Sequence, residues 1–155
     1  ELWEIVKEAD KPWGIGPGYP NTTERIESGL LSWGGDTDDN TNPYEVRLGK
    51  YVDLDVPDEV IGIEALRKIK KAGPTRHQLG IILDDNEKFK SHGIWYDILV
   101  NNEKVGDMTC GIWSNRLEKN IGLSLVSIKV QPGDKVLLNK EGRMYSAKMA
   151  ELPFI

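Results

Sequence analysis

From Thr75 onward the chain is a succession of short β-rich runs, Leu79–Leu83, Ile94–Val100, Lys104–Trp113, Ile121–Val130, Lys135–Leu138 and Met144–Ala150, separated by the turn signals Asn101-Asn102, Pro132-Gly133-Asp134 and Glu141-Gly142. Apolar-rich runs of this length bounded by Asn, Gly and Pro read as antiparallel strands joined by tight turns. An open sheet built from them would expose two edges, which closure into a barrel or jelly roll removes or shortens. The fold class expected is α+β, mainly β: a short N-terminal helical segment followed by a small six-stranded antiparallel β-barrel, jelly-roll-like.

The residues before Thr75 have a different texture. Leu2, Ile5 and Val6 have the spacing of one buried helical face, and the glycine and proline of Lys11–Pro20 end that helix in a loop. Asn21 and Glu24 form a capping-box arrangement at the start of a second helix, whose apolar side is Ile26, Leu30 and Leu31 and which Gly29 ends. A polar loop, Trp33–Asn42, leads to a strand-like Glu45–Val52. A third helix fits Ile63–Ala72, with Leu66 and Ile69 facing inward and Gly73-Pro74 ending it. The boundary is placed there, giving units 1–73 and 74–155. Three short helices cannot enclose a core unaided, so residues 1–73 should lie against the barrel or against preceding sequence. A first residue that is not methionine, with a helix already under way, fits a chain cut from something longer, and equally a removed initiator.

A formal charge of −5 and a pI near 5.1 provide no basic field for a phosphate backbone; Lys68, Lys70 and Lys71 are confined to one short helical stretch. Nucleic acid is excluded as the expected partner. Cys110 is the single cysteine and cannot form an internal disulfide, which fits a cytoplasmic protein. No apolar run approaches the roughly 20 residues needed to cross a bilayer, and the acidic start lacks the features of a secretion signal. No membrane partner is expected.

Several local patterns fail as functional motifs. Asp36–Asn42 alternates carboxylates and amides at EF-hand spacing, yet Thr41 stands where the loop needs glycine and Arg47 where it needs a bidentate glutamate. Gly14-Ile15-Gly16-Pro17-Gly18 is half of a dinucleotide fingerprint, but a helix precedes it and prolines interrupt it. Asn21-Thr22-Thr23 satisfies a glycosylation sequon and reads better as a helix cap. His77, His92 and Cys110 have no partner ligands at local spacing, so no metal site is expected. Trp95 and Trp113 alternate with apolar neighbours as sheet-face residues. Trp33, at a helix-to-loop junction, could stack on a planar ligand or simply pack.

The run Pro20–Asp36, PNTTERIESGLLSWGGD, followed by Thr41–Glu45, TNPYE, resembles the signature of the glycine-cleavage T-protein family. Ile61–Leu66, Ser114–Leu123 and the ending Leu152–Ile155 resemble further segments of it, in order. The resemblance implies a tetrahydrofolate-dependent one-carbon transferase. Residues 1–73 would be a C-terminal remnant of its folate-binding domain and 74–155 its C-terminal aminomethyltransferase-type barrel. Asn21, Glu24, Trp33, Asp36 and Glu45 would belong to one wall of the folate site, and the partners would be folate and a small methyl or aminomethyl donor. Catalytic residues of the family, including an upstream aspartate, have no counterpart here, so the chain is not expected to be active alone. Asn21 stands where aminomethyltransferases carry an arginine, and a neutral amide cannot replace a guanidinium in a charge-assisted contact. The pattern around it, with the Leu-Pro-Phe-Ile ending, resembles the dimethylsulfoniopropionate demethylase branch. The alternative is a stand-alone barrel module without catalysis, self-associating through exposed apolar surface into a homo-oligomer.

Overall fold

The structure, a computed structural model, describes residues 2–14 and 21–155, with side chains at all of these except 91–93. Expectations that fall on residues 15–20, including most of the glycine-rich run, and on the side chain of His92 lie outside the described residues.

Six strands, β1 (Arg76–Leu83), β2 (Lys90–Val100), β3 (Glu103–Ser114), β4 (Lys119–Ser127), β5 (Lys135–Lys140) and β6 (Arg143–Ala150), close into an antiparallel barrel in the order β1-β4-β3-β2-β5-β6. This is the expected barrel, and its hairpins follow from turn chemistry. Asn101 and Asn102 have φ of 50° and 67°, and Glu141 and Gly142 have 53° and 87°. Two consecutive left-handed residues give the turn whose twist matches that of paired strands.

Strand alternation sorts side chains into two apolar clusters. Leu79, Ile81 and Leu83 of β1 share the barrel interior with Ile98, Met108, Val126, Leu138 and Met149. Ile121 and Leu123 of β4 face outward, where Ile26, Cys110, Leu152 and Phe154 cover them. Met108 and Cys110, two residues apart on β3, belong to opposite clusters, which strict alternation forbids. A register shift between them in the pairing with β4 resolves the conflict: Thr109 is the extra residue, and the pleat is reset beyond it.

Helix α1 (Leu2–Asp10) makes its element contacts with the 3-10 turn Lys11–Trp13, and none of its residues is buried. Helix α2 (Thr22–Glu27) is packed on β3 and β4. Its cap is as expected at Asn21, although the side chain accepts from the Thr23 N–H, at 2.9 Å. Helix α3 (Ile63–Ala72) has the expected bounds, with Leu66 and Ile69 half-buried and Gly73 as its C-cap at φ 80°.

Two local expectations are corrected. Residues 45–52 form turns and a 3-10 helix at Gly49–Tyr51, not a strand. The Asn42 side chain accepts from the N–H groups of Tyr44 and Glu45, and Arg47 takes a left-handed φ of 65°, which together curl the backbone. Gly49 sits directly under Tyr44, where an added Cβ would come within 2.6 Å of the ring. The strand expected over Ile121–Val130 ends at Ser127, where the chain turns and Val130 N–H bonds Ser127 O at 2.9 Å.

Candidate functional site

Ile26 fixes the position of α2. It is fully buried against Ile121 and Leu123, so its charged neighbours Arg25 and Glu27 are drawn down beside the sheet. Each meets a partner there. Arg25 Nη1 donates to Asp36 Oδ2 at 2.6 Å and to Leu30 O at 2.8 Å, and Nη2 lies 3.3 Å from Cys110 Sγ. Asp36 is 2% exposed and its carboxylate is fully engaged: Oδ2 also accepts from Ser32 N–H at 2.9 Å, and Oδ1 accepts from Thr109 Oγ1 at 2.6 Å. Thr109 reaches this carboxylate because the irregularity in β3 turns it out of the regular pleat.

Burial opposes the Arg25 charge, but Asp36 and Cys110 beside it outweigh that effect and raise its pKa above the ordinary value. Burial, reinforced by the Asp36 charge, pushes the Cys110 thiol up to about 12. The cysteine is therefore a protonated packing residue at neutral pH and not a nucleophile.

Two further clamps hold the segment to the barrel. Arg76 of β1 grips Glu45 at both carboxylate oxygens, 3.0 and 3.1 Å, and Gln78 N–H bonds Glu45 O at 2.8 Å. The hydrogen bonds to Glu45, with its charge, raise the Arg76 pKa in spite of partial burial. On the other side Ser114 Oγ donates to the buried Glu27 carboxylate, and Phe154 N–H bonds Glu27 O at 2.9 Å. Trp95 adds a bond from Nε1 to Gly35 O at 2.7 Å.

The result is a rigidly seated wall whose outer surface carries a groove of about 540 Å³ lined by Asn21, Glu24, Arg25, Ser28, Leu30 and Leu31. Of the five residues singled out in the sequence, Asn21 and Glu24 lie together on this groove. Trp33 stands apart, 72% exposed, on the turn closed by Gly34 N–H to Thr37 O. Asp36 and Glu45 lie beneath, each holding an arginine. Arg25, Glu27, Thr109 and Ser114 complete the arrangement without having been picked out. The available signal was Arg25-Ile26-Glu27, two charges flanking a core isoleucine inside the motif run; Thr109 and Ser114 had none short of the fold. Among the described residues no group of three or more His, Cys, Asp or Glu could hold a metal ion, and no helix is long and apolar enough to cross a membrane.

A closed six-stranded antiparallel barrel with a polar wall strapped across its outer face defines the class of protein. Residues 76–155 match the family described as the glycine cleavage T-protein C-terminal barrel domain, and the chain belongs to that family. An aminomethyltransferase of Prochlorococcus marinus is 34% identical over 99% of this chain, which covers 40% of that protein. One of Symbiobacterium thermophilum is 36% identical over 99% of the chain and 41% of its own length. The chain thus spans about two-fifths of the curated relatives it matches. The crystal structure of glycine cleavage system aminomethyltransferase T from Bartonella henselae superposes with a TM-score of 0.72 at 20% identity, covering 86% of this chain and 37% of that one, a likeness of fold.

Proposed function

We propose that this chain is the C-terminal part of a tetrahydrofolate-dependent one-carbon transferase, and that the segment from Asn21 to Glu45 forms one wall of its folate site. The observation that carries this is the similarity, over 99% of the chain, to proteins named aminomethyltransferase. Residues 1–73 are the remnant of the folate-binding domain and residues 74–155 the barrel that closes over it.

The groove suits one edge of a pterin. Glu24 is exposed and carries no side-chain bond among the described residues, so its carboxylate is free to accept from ring N–H groups. Asn21 commits Oδ1 to the helix cap and keeps its NH₂ for an acceptor. Leu30 and Leu31 offer apolar surface to a flat ring in the groove; Trp33, outside the groove and exposed, would stack on a part of the ligand that extends beyond it. Asp36 and Glu45 act from below by fixing Arg25 and Arg76. Bound folate would supply the nitrogen that accepts the one-carbon unit; this wall contributes position and exclusion of water.

The donor is proposed to be a methyl sulfonium, as in the demethylase branch, and not an aminomethyl group. The reason is Asn21, a neutral amide where the aminomethyltransferases carry arginine. Calorimetry of the 155-residue chain with tetrahydrofolate tests the folate assignment: binding in the micromolar range, weakened by Glu24→Gln, is expected. No binding, together with a stable dimer, overturns it in favour of a non-catalytic barrel module. Joined to a T-protein N-terminal portion, the chain should support methyl transfer from a dimethyl sulfonium; transfer of aminomethyl groups alone would overturn the choice of donor.

A further inference from the structure

A second cavity, of about 280 Å³, shares Ser28, Leu30 and Leu31 with the groove and runs on to Arg47, Lys50, Tyr51 and Gln78. Three features of it are unused by the packing just described. Gln78 is 5% exposed, yet its Nε2 has no hydrogen-bond partner among the described residues, and an unsatisfied buried amide requires an explanation. Arg47 holds a left-handed φ of 65°, unfavourable for a side chain branching from an L-residue, and its guanidinium has no hydrogen-bond or ion-pair partner among the described residues. Lys50 has no carboxylate partner among the described residues; its Nζ lies 4.9 Å from the centroid of the exposed Tyr51 ring.

Two unneutralised cations and a spare amide donor on one small cavity have a common complement, an anion. The guanidinium fork matches a planar carboxylate, while the remaining walls, Leu30, Val46, Leu48 and Tyr51, are apolar and would cover whatever carries the charge. We propose that this cavity is a carboxylate site, taking a carboxylate borne on an apolar or aromatic stem. Arg47 and Lys50 neutralise the charge, and the Gln78 amide fixes the orientation once the acid has entered. Two sources share this chemistry, the benzoylglutamate end of a folate and a free aromatic acid. The site itself does not depend on the folate assignment of the neighbouring groove.

The test is an NMR titration of the 155-residue chain with 4-aminobenzoyl-glutamate, benzoate and inorganic phosphate as probes. Both carboxylates are expected to shift the Gln78 side-chain amide and the Lys50 resonances. The double variant R47E/K50E changes exposed side chains only and should keep the wild-type circular dichroism while losing about tenfold or more in affinity, as expected for charged contacts. Gln78→Leu, which removes the amide and keeps the volume, should weaken binding by about threefold to tenfold. Tighter binding of 4-aminobenzoyl-glutamate than of benzoate assigns the site to a folate tail; equal binding assigns it to a free aromatic acid. An unmoved Gln78 amide, unchanged affinity in R47E/K50E, or phosphate binding as tightly as the carboxylates overturns the proposal. A pterin lacking the benzoylglutamate arm probes the groove alone, so failure there and failure here are separable.

Discussion

Thr109 Oγ1 donates to Asp36 Oδ1 at 2.6 Å, joining the extra residue of a strand irregularity to a carboxylate that also carries the Arg25 charge. The wall is thereby tied to the barrel at a point that regular pleating would have turned away.

Asp36→Asn leaves Arg25 partly buried and without its counter-charge, and breaking a buried pair from one side costs about 3 kcal/mol or more. Thr109→Val removes one neutral donor and should cost about 1 to 2 kcal/mol. Urea denaturation of both variants checks the ranking, with the larger loss expected for Asp36→Asn.

Cys110 links stability to alkaline pH. Its thiol is held near 12 in the fold against 9.0 for the unperturbed group, so the unfolded chain loses its proton first. This contribution is fully present below pH 9 and is lost progressively between about pH 9 and 12, to the extent of a few kcal/mol. Cys110→Ala should lack that component, and subtracting the two urea midpoints across this range measures it. At neutral pH the thiol should react with an aromatic disulfide only as fast as the wall opens.

Glu45 is the anchor of the middle of the wall. Glu45→Gln weakens both contacts with Arg76 and should cost about 1.5 to 3 kcal/mol locally, the range for hydrogen bonds to charged groups. The loss should register first as faster hydrogen exchange at the Gln78 amide, which bonds Glu45 O.

Helix α1 presents Leu2, Trp3, Ile5 and Val6 to solvent at 42–75% exposure, and Trp13 at 78%. Removing residues 1–14 should leave the thermal midpoint of the barrel unchanged within a degree or two, because the helix contributes no buried residue. Sedimentation velocity should show the intact chain associating more strongly than the shortened one.

The barrel was legible because its strands are β-rich runs and two of its hairpins carry their own turn residues, Asn101-Asn102 and Glu141-Gly142, so local rules and topology agree there. The helix cap at Asn21 was legible for the same reason. Residues 45–52 were not: Val46, Tyr51 and Val52 are strand-like in composition, but the curl comes from the Asn42 side chain and the left-handed Arg47, neither of which a composition pattern registers. Asp36 and Glu45 were named through the family resemblance alone, and their arginine partners become visible only once β1 and α2 are brought beside them. The irregularity at Thr109 left no mark at all, since Met108 and Cys110 are both small enough in polarity to suit either face.

The bond from Phe154 N–H to Glu27 O, with Leu152 and Phe154 covering Ile26, has a consequence for the order of events at the ribosome. Helix α2 is synthesised before any strand of the barrel, yet its seat is complete only after β3 and β4 have paired and residues 152–154 have emerged. The groove is thus finished only after every strand of the barrel has been synthesised, and a nascent chain halted before Leu152 would display a formed sheet with its outer cluster still uncovered.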